Sequence, residues 1–333
     1  MLRSSVRSSR LIRTLFLGSC LVVSFALAGQ AMAQGRYPYG DFGYGVKPAP
    51  WTPTWYFRAE YTAMWADGAR LSPLLTTSPA ETEREDAGVL GEPGTTILLG
   101  GKKVADQGRQ GARITFGRWL DQQQQLALET RYWMLGEGNI GDVNIHSLDT
   151  TILARPFLNT NTNDQDAQLI AYPGVVTGAV KVEYRSEVHA VDVLGRYNWL
   201  EGPNNYVNVF AGYRFFRFRE ALAIDEQLLG AVSVSDKFVT ENDFHGIDLG
   251  ATFGFGYAAW LLDVTTRVAV GGVCEQLTIQ GSTALGEAVQ TGGWLAAPSN
   301  IGSYTEHTFA AIPELDLRFS CVAFDSIRLS VGY

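Results

Sequence analysis

Residues 55–65, "WYFRAEYTAMW", alternate strictly. Trp55, Phe57, Ala59, Tyr61, Ala63 and Trp65 share one parity, and Tyr56, Arg58, Glu60, Thr62 and Met64 share the other. A strand has this pattern when one side meets an apolar medium and the other meets water or polar groups. The period recurs at 112–120 (Ile114, Phe116 and Leu120 against Arg113 and Thr115) and at 126–135 (Leu128 and Tyr132 against Glu129 and Arg131). Residues 176–200 read as one long strand with a bulge near 185–189. Val180, Val182 and Tyr184 share a face before it; Val191, Val193, Tyr197 and Trp199 take that face after it, the parity change one extra residue makes. Further strands are predicted at 205–218, 244–260, 262–280, 305–320 and 326–333, nine in all.

The connections between these strands carry as much information. They alternate between long (67–110, 136–175, 219–243, 281–304) and short ("DQQQQ" at 121–125, "EGPNN" at 201–205, residues 260–261, "CVAFD" at 321–325). Every strand therefore reverses direction, with tight turns on one rim and long loops on the other. Bacterial outer-membrane barrels have this anatomy: short periplasmic turns, long extracellular loops, an apolar outer band and a polar interior. The fold class expected is all-β, an antiparallel up-and-down transmembrane β-barrel.

The N-terminus suits that route. Arg3, Arg7, Arg10 and Arg13 precede an apolar run from Leu15 to Ala28, and Ala31-Met32-Ala33 forms a small-x-small cleavage site. Residues 1–33 read as a secretory leader cut before Gln34. A lipoprotein-type site at Cys20 is a poorer fit, because it wastes the apolar run that follows. Residues 34–54, rich in Pro, Gly and Tyr, read as a periplasmic linker, and 55–333 as the barrel. After the leader, 22 basic residues (26 less the four Arg) face 34 acidic ones, a net charge of −12. That excludes nucleic acid or an anionic surface as the obvious partner.

Arg118 tests the assignment, since it falls on the apolar parity. An Arg at the bilayer midplane costs roughly 2–4 kcal/mol, but only about 0–1 near an interface. It stands three residues before a short turn, where its side chain can snorkel. Trp55, Trp199 and Tyr257 fall near the same rim, where an aromatic girdle belongs.

The sequence also resembles a planctomycete outer-membrane family, beta-barrel porin family seven. The resemblance rests on "WYFRAEY" (55–61), "PLLTTSP" (73–79), "GVLGEPGTTILLGG" (88–101), "GARITFGRWLD" (111–121), "LETRYWMLGE" (128–137), "LARPFLN" (153–159), "AYPGVVTGAV" (171–180), "AGYRFFRFRE" (211–220), "NDFHGIDLG" (242–250) and "IPELDLRFS" (312–320). It implies an outer-membrane barrel and says little about a substrate. Members of that family continue past the Gly-Tyr that corresponds to Gly332-Tyr333. With nine strands counted, and an even number needed to close an antiparallel barrel, "IRLSVGY" (327–333) is expected to be the penultimate strand, with the last one missing.

Charged residues of both signs fall on the inward parity: Arg58, Glu60, Arg113, Glu129, Arg131, Lys181, Glu183, Arg185, Asp192, Arg196, Arg214, Asp248, Asp263, Arg267, Glu314, Asp316, Arg318 and Arg328. They either line a pore or pair across it. Eight strands leave room only for side chains and open porins use about sixteen, so nine or ten predict a narrow, largely plugged lumen. The expected function is structural, surface-interaction or narrow-porin, without cofactor or metal. Expected partners are outer-membrane lipid, the barrel assembly machinery and small solutes. Two alternatives remain. One is a rim-sited lipid or peptide hydrolase using His189, His245 or His307, near Glu187, Asp243 and Glu306; the fourth histidine, His146, also falls on a long loop. No Ser, His and acid stand at a spacing that names a triad. The other is a soluble secreted β-sandwich. Cys274 and Cys321 read as unpaired small apolar residues.

Overall fold

The structure is a computed structural model that describes residues 20–26, 55–65, 68–140, 143–146, 150–228, 232–258, 260–324 and 327–333. Ten strands form the ring of its twelve-stranded main sheet: β1 (Cys20–Ala26), β2 (Trp55–Trp65), β3 (Gly108–Trp119), β4 (Leu126–Asn139), β5 (Gly178–Glu201), β6 (Asn205–Leu228), β7 (Val232–Tyr257), β8 (Trp260–Leu285), β9 (Gly302–Phe324) and β10 (Ile327–Gly332); the short strands Val143–His146 and Ala288–Thr291 add to it on β5 and β8. Each pairs antiparallel with its neighbours in sequence. β1 also pairs with β10, so the hydrogen-bonded path returns to its start. The nine strands read from residue 55 onward are β2–β10. β2 and β10 run in the same direction and do not pair. The strand between them is Cys20–Ala26, which runs the opposite way and meets both, through Cys20↔Met64 to Val23↔Tyr61 and Val22↔Gly332 to Ala26↔Arg328. Residues 20–26, part of the apolar run near the N-terminus, thus occupy the closing position.

The turns at the β3–β4, β5–β6, β7–β8 and β9–β10 junctions are short. At the opposite rim the predicted loops are mostly ordered. Residues 219–243 are not a loop: β6 continues to Leu228 and β7 begins at Val232, in unbroken register from Leu228↔Val232 to Asn205↔Phe255. Segments of the first two long connections build a separate four-stranded sheet in the order 164–171, 153–159, 75–77, 96–99. Leu74, Leu75, Leu99, Leu153, Ile170 and Ala171 of this cap form one buried cluster with Val180 and Val182 of β5 and Ile224 of β6. The cap is therefore seated against the inner wall of the barrel's upper half. Gly88 at φ 78° lies against Ala154, where a side chain would collide, and its carbonyl accepts a hydrogen bond from Thr76 Oγ1 at 2.7 Å.

The predicted parity change in 176–200 does not occur. β5 keeps one register against β6 from Gly178 to Asn198. The bulge lies in β4 instead, where Ser186↔Gly138 is followed by Val188↔Leu135. Arg109 of β3 fills it, donating from Nε to the Gly136 carbonyl at 2.8 Å and from Nη1 to Ser186 Oγ at 3.1 Å. What changes along β5 is the medium, not the strand. Below, near the short turns, even-numbered residues face the charged interior and odd-numbered ones an apolar exterior. Above, Val180, Val182 and Tyr184 still point inward, now buried beneath the cap, and Lys181, Glu183 and Arg185 point outward.

Candidate functional site: the closed interior of the barrel

Three layers of side chains fill the inside of the ring. The lowest is ionic. Glu60 of β2, fully buried, accepts from Arg113 of β3 at 2.6 Å and from Arg318 of β9 at 2.6 Å, with Arg58 at 3.8 Å. Arg113 reaches on to Asp316 at 3.4 Å. Glu129 of β4 binds Arg131 at 2.9 Å, Arg196 at 3.3 Å and the Tyr56 hydroxyl at 2.8 Å. Asp192 of β5 takes Arg214 and Arg267, each at 2.9 Å, and Arg131 at 3.7 Å. Arg267 also contacts Asp248, and Arg214 binds Glu314 at 2.5 Å. Asp263 accepts from Tyr206 at 2.6 Å. The Phe210 ring packs beneath two of the cations, 5.3 Å from Arg196 and 5.7 Å from Arg267.

Several of these pairs join strands that are not neighbours. β3 meets β9 through Arg113–Asp316, β6 meets β9 through Arg214–Glu314, and β5 meets β8 through Arg267–Asp192. Such contacts require a sheet curled on itself with the pairs spanning its inside. Among the described residues, Arg58, Arg113, Arg131, Arg196, Arg214, Arg267 and Arg318 are matched one for one by Glu60, Glu129, Asp192, Asp248, Asp263, Glu314 and Asp316. A charge removed from water costs several kcal/mol unless a partner and hydrogen bonds compensate it. The network meets that need by balancing sign and by sharing Glu60, Glu129, Asp192, Asp248 and Glu314 among two or more guanidinium groups each.

The second layer is apolar. Phe244, Ala269, Val273 and Ile312 form one buried cluster with Phe216 and Ala310 against it. Leu135, Val188 and Phe218 form another, packed by Met64, Trp133 and again Phe216. The rings of Trp133 (β4) and Phe216 (β6) stack at 6.4 Å and 17°, across the intervening β5.

The third layer is the cap. Arg155 on its 153–159 strand is buried and donates from Nη1 to Asp236 of β7 at 2.8 Å and to Glu226 of β6. Asp236 Oδ1 in turn accepts the backbone N–H groups of Leu295 and Ala296, at 3.1 and 2.8 Å. One buried node thus ties the cap to two wall strands and to the connection before β9. Burial pushes the Glu226 carboxyl above its ordinary range, against the pull of Arg155.

The sequence-derived interior set divides cleanly. Arg58, Glu60, Arg113, Glu129, Arg131, Asp192, Arg196, Arg214, Asp248, Asp263, Arg267, Glu314, Asp316 and Arg318 all lie inside. Lys181 and Glu183 do not, and nor does Arg185. Lys181 pairs with Glu183 on the outer wall, and Arg185 lies 3.6 Å from Glu183 and 3.7 Å from Glu137. A bulge in β5 would put all three on the inward face; the structure has it in β4, so they stay on the outer one. The side chain of Arg328 and the cleavage-site residues Ala31 and Ala33 fall outside the described residues. Sequence reasoning missed Arg155 and the Phe216–Phe244 layer. "LARPFLN" hid the first inside a presumed loop. The inward parity of Phe216 and Phe218 beside Arg214 was the available signal for the second.

On the outer wall, Trp55, Trp199 and Tyr257 are exposed near the short turns, joined by Trp260 stacked on Phe319 at 4.9 Å. The three histidines considered for catalysis also face outward. His189 is hydrogen-bonded to the Tyr132 hydroxyl at 2.9 Å and His245 to that of Tyr213 at 2.5 Å. His307 lies on the row His189–Arg217–Asp243–Cys274–His307. Intervening strands at about 4.8 Å each keep the three apart, and Asp243 is engaged by Arg217 at 2.6 Å. They do not converge on one substrate position. Cys274 and Cys321 are free, at opposite ends of the β8–β9 pairing.

An antiparallel ring with an apolar, aromatic exterior and ion pairs spanning its interior defines a membrane β-barrel. The chain belongs to the family described as Putative beta barrel porin-7 (BBP7), whose model matches residues 56–333. Membership implies an outer-membrane location in general terms. Among the curated proteins none matches the chain.

Proposed function

We propose that this protein is a non-enzymatic outer-membrane barrel whose interior is sealed, serving as a structural or surface-interaction protein rather than a wide diffusion channel. The observation that carries the reading is the spanning of the interior by Arg113–Asp316, Arg214–Glu314 and Arg267–Asp192. A balanced network creates no single-sign field of the kind that selects ions, and the apolar layer above it resists wetting. Residual conductance would be that of a narrow porin for small solutes. On this reading the leader is removed at Ala31–Ala33, the 34–54 arm lies in the periplasm, and the barrel assembly machinery inserts the chain. Recording the purified protein in planar bilayers tests it. The expected trace is silent or shows only small steps; steps the size of an open sixteen-stranded porin would overturn the proposal. A hydrolytic activity lost when His189, His245 and His307 are all changed to Ala would instead favour a rim enzyme.

A further inference from the structure

The charges of the ionic layer balance over the whole ring but not within it. Arg58, Arg113, Arg131, Arg196 and Arg318 gather around Glu60, Glu129 and Asp316. In the rest of the layer Arg214 and Arg267 face Asp192, Asp248 and Glu314, and Tyr206 holds Asp263. Arg131, 3.7 Å from Asp192, is the link between the two groups. One side of the interior is therefore cationic and the other anionic. The two excesses are not equivalent. A carboxylate can answer surplus negative charge by taking a proton, but a guanidinium cannot give one up. The cationic side needs a counter-ion.

Its unsatisfied donors say where. Arg113, Arg131, Arg196, Arg214, Arg267 and Arg318 each donate a hydrogen bond to a carboxylate. Arg58 donates none among the described residues. The nearest carboxylate oxygen to its Nε is Glu60 Oε2, at 3.8 Å, too far for a hydrogen bond. That Nε is buried without a partner. Directly opposite Arg58 on β3 stands Thr115, whose other cross-strand neighbour is Arg131 on β4. Thr115 is fully buried and its hydroxyl is also without a partner. Two buried donors thus face each other across one strand pair with no acceptor between them, and leaving such groups unmet costs about 1–3 kcal/mol or more.

The neighbouring acceptors are already engaged. Glu60 accepts from Arg113 Nε, Arg113 Nη2 and Arg318 Nη2. Glu129 accepts from Tyr56, Arg131 and Arg196. Meanwhile Arg113 and Arg196 lie close enough to repel Arg58, and Arg58 in turn repels Arg318. A water molecule would meet the two donors but bring no charge, and its own protons would compete for those same carboxylates. A monatomic anion accepts from both donors and offsets the repulsion. Arg58 keeps 29% of its side chain exposed, which leaves such an ion a way in.

We infer that a chloride-sized monovalent anion binds inside the barrel between Arg58 and Thr115, as the counter-ion of the cationic side of the layer. The inference goes beyond the sealed-lumen reading and does not depend on whether the barrel conducts.

Two measurements on the full chain test it. Crystals grown in bromide should show one anomalous peak beside the Arg58 guanidinium and the Thr115 hydroxyl. In detergent at constant ionic strength, the folding equilibrium should be about tenfold higher in roughly 0.15 M chloride than in gluconate, which is too large to enter. Thr115→Val and Arg58→Gln should each remove that difference. Thr115→Ser, which keeps the hydroxyl, should retain it, and so should Arg185→Gln on the outer wall. Equal stability of the unmodified protein in the two salts would overturn the inference. So would a water in place of the bromide peak, a bromide peak with no effect in solution (an adventitious ion only), or an undiminished chloride effect in Thr115→Val.

Discussion

Glu60 and Glu183 offer the sharpest test of how the barrel interior is built. By sequence alone both are inward carboxylates on alternating strands; in the structure they differ entirely. Glu60 has no exposed side-chain surface and is the shared acceptor of Arg113 and Arg318, each at 2.6 Å. Glu60→Gln would leave Arg318 with no carboxylate at that distance and Arg113 with only Asp316 at 3.4 Å. Removing one partner of a buried pair costs about 3–5 kcal/mol, which is a roughly 150- to 4,000-fold loss in the folding equilibrium. Glu183 pairs with Lys181 on the outer wall, with 27% of its side chain exposed. Exposed pairs contribute about 0–1 kcal/mol, so Glu183→Gln should be nearly silent. Reversible urea unfolding in lipid vesicles, followed by tryptophan fluorescence and heat-modifiable migration, reads both. Adding Arg113→Gln to Glu60→Gln should recover part of the loss, because the two act as a unit. If Glu60→Gln costs no more than Glu183→Gln, the ionic layer is not a buried network and the account of the sealed lumen fails.

Two further outcomes follow from the cap and from the orientation. Because burial raises the Glu226 carboxyl, cap docking is strongest where that group holds its proton and weakens as pH rises through the raised value; amide protection factors across 153–171, taken relative to the intrinsic exchange rate at each pH, should be higher at pH 5 than at pH 8, with the difference removed by Glu226→Gln, and a cap equally protected at both would refute the latch. Cys274 lies near the long-connection rim and Cys321 beside the short turns. In single-cysteine variants an impermeant maleimide on intact cells should label Cys274, and Cys321 only once the outer membrane is permeabilised; the reverse order would invert the barrel.

The amino-acid sequence by itself determined nine of the ten ring strands, their antiparallel order and which rim carries tight turns, but not the strand at Cys20–Ala26 nor the reach of β6 and β7 through 219–243. Period-two alternation and turn residues are local properties, legible in any window of ten residues. It also determined the outward Trp55, Trp199 and Tyr257 and the interior position of Glu60, Arg113, Asp192 and Arg267, because near the short turns the outward face is apolar and the inward face charged throughout. It did not determine Lys181, Glu183 and Arg185. Alternation sorts residues into two faces without saying what covers each face. In the upper half that is decided by residues far away in sequence: Leu75, Leu99, Leu153 and Ile170 of the cap lie against Val180, Val182 and Ile224, so the apolar side is the inside and the charged side the outside. The strand keeps its register while its surroundings change over. Only the tertiary structure brings the cap to that wall, lays Phe216 and Phe244 over the ionic layer, and sets Cys20–Ala26 between two strands that run the same way and cannot pair antiparallel with each other.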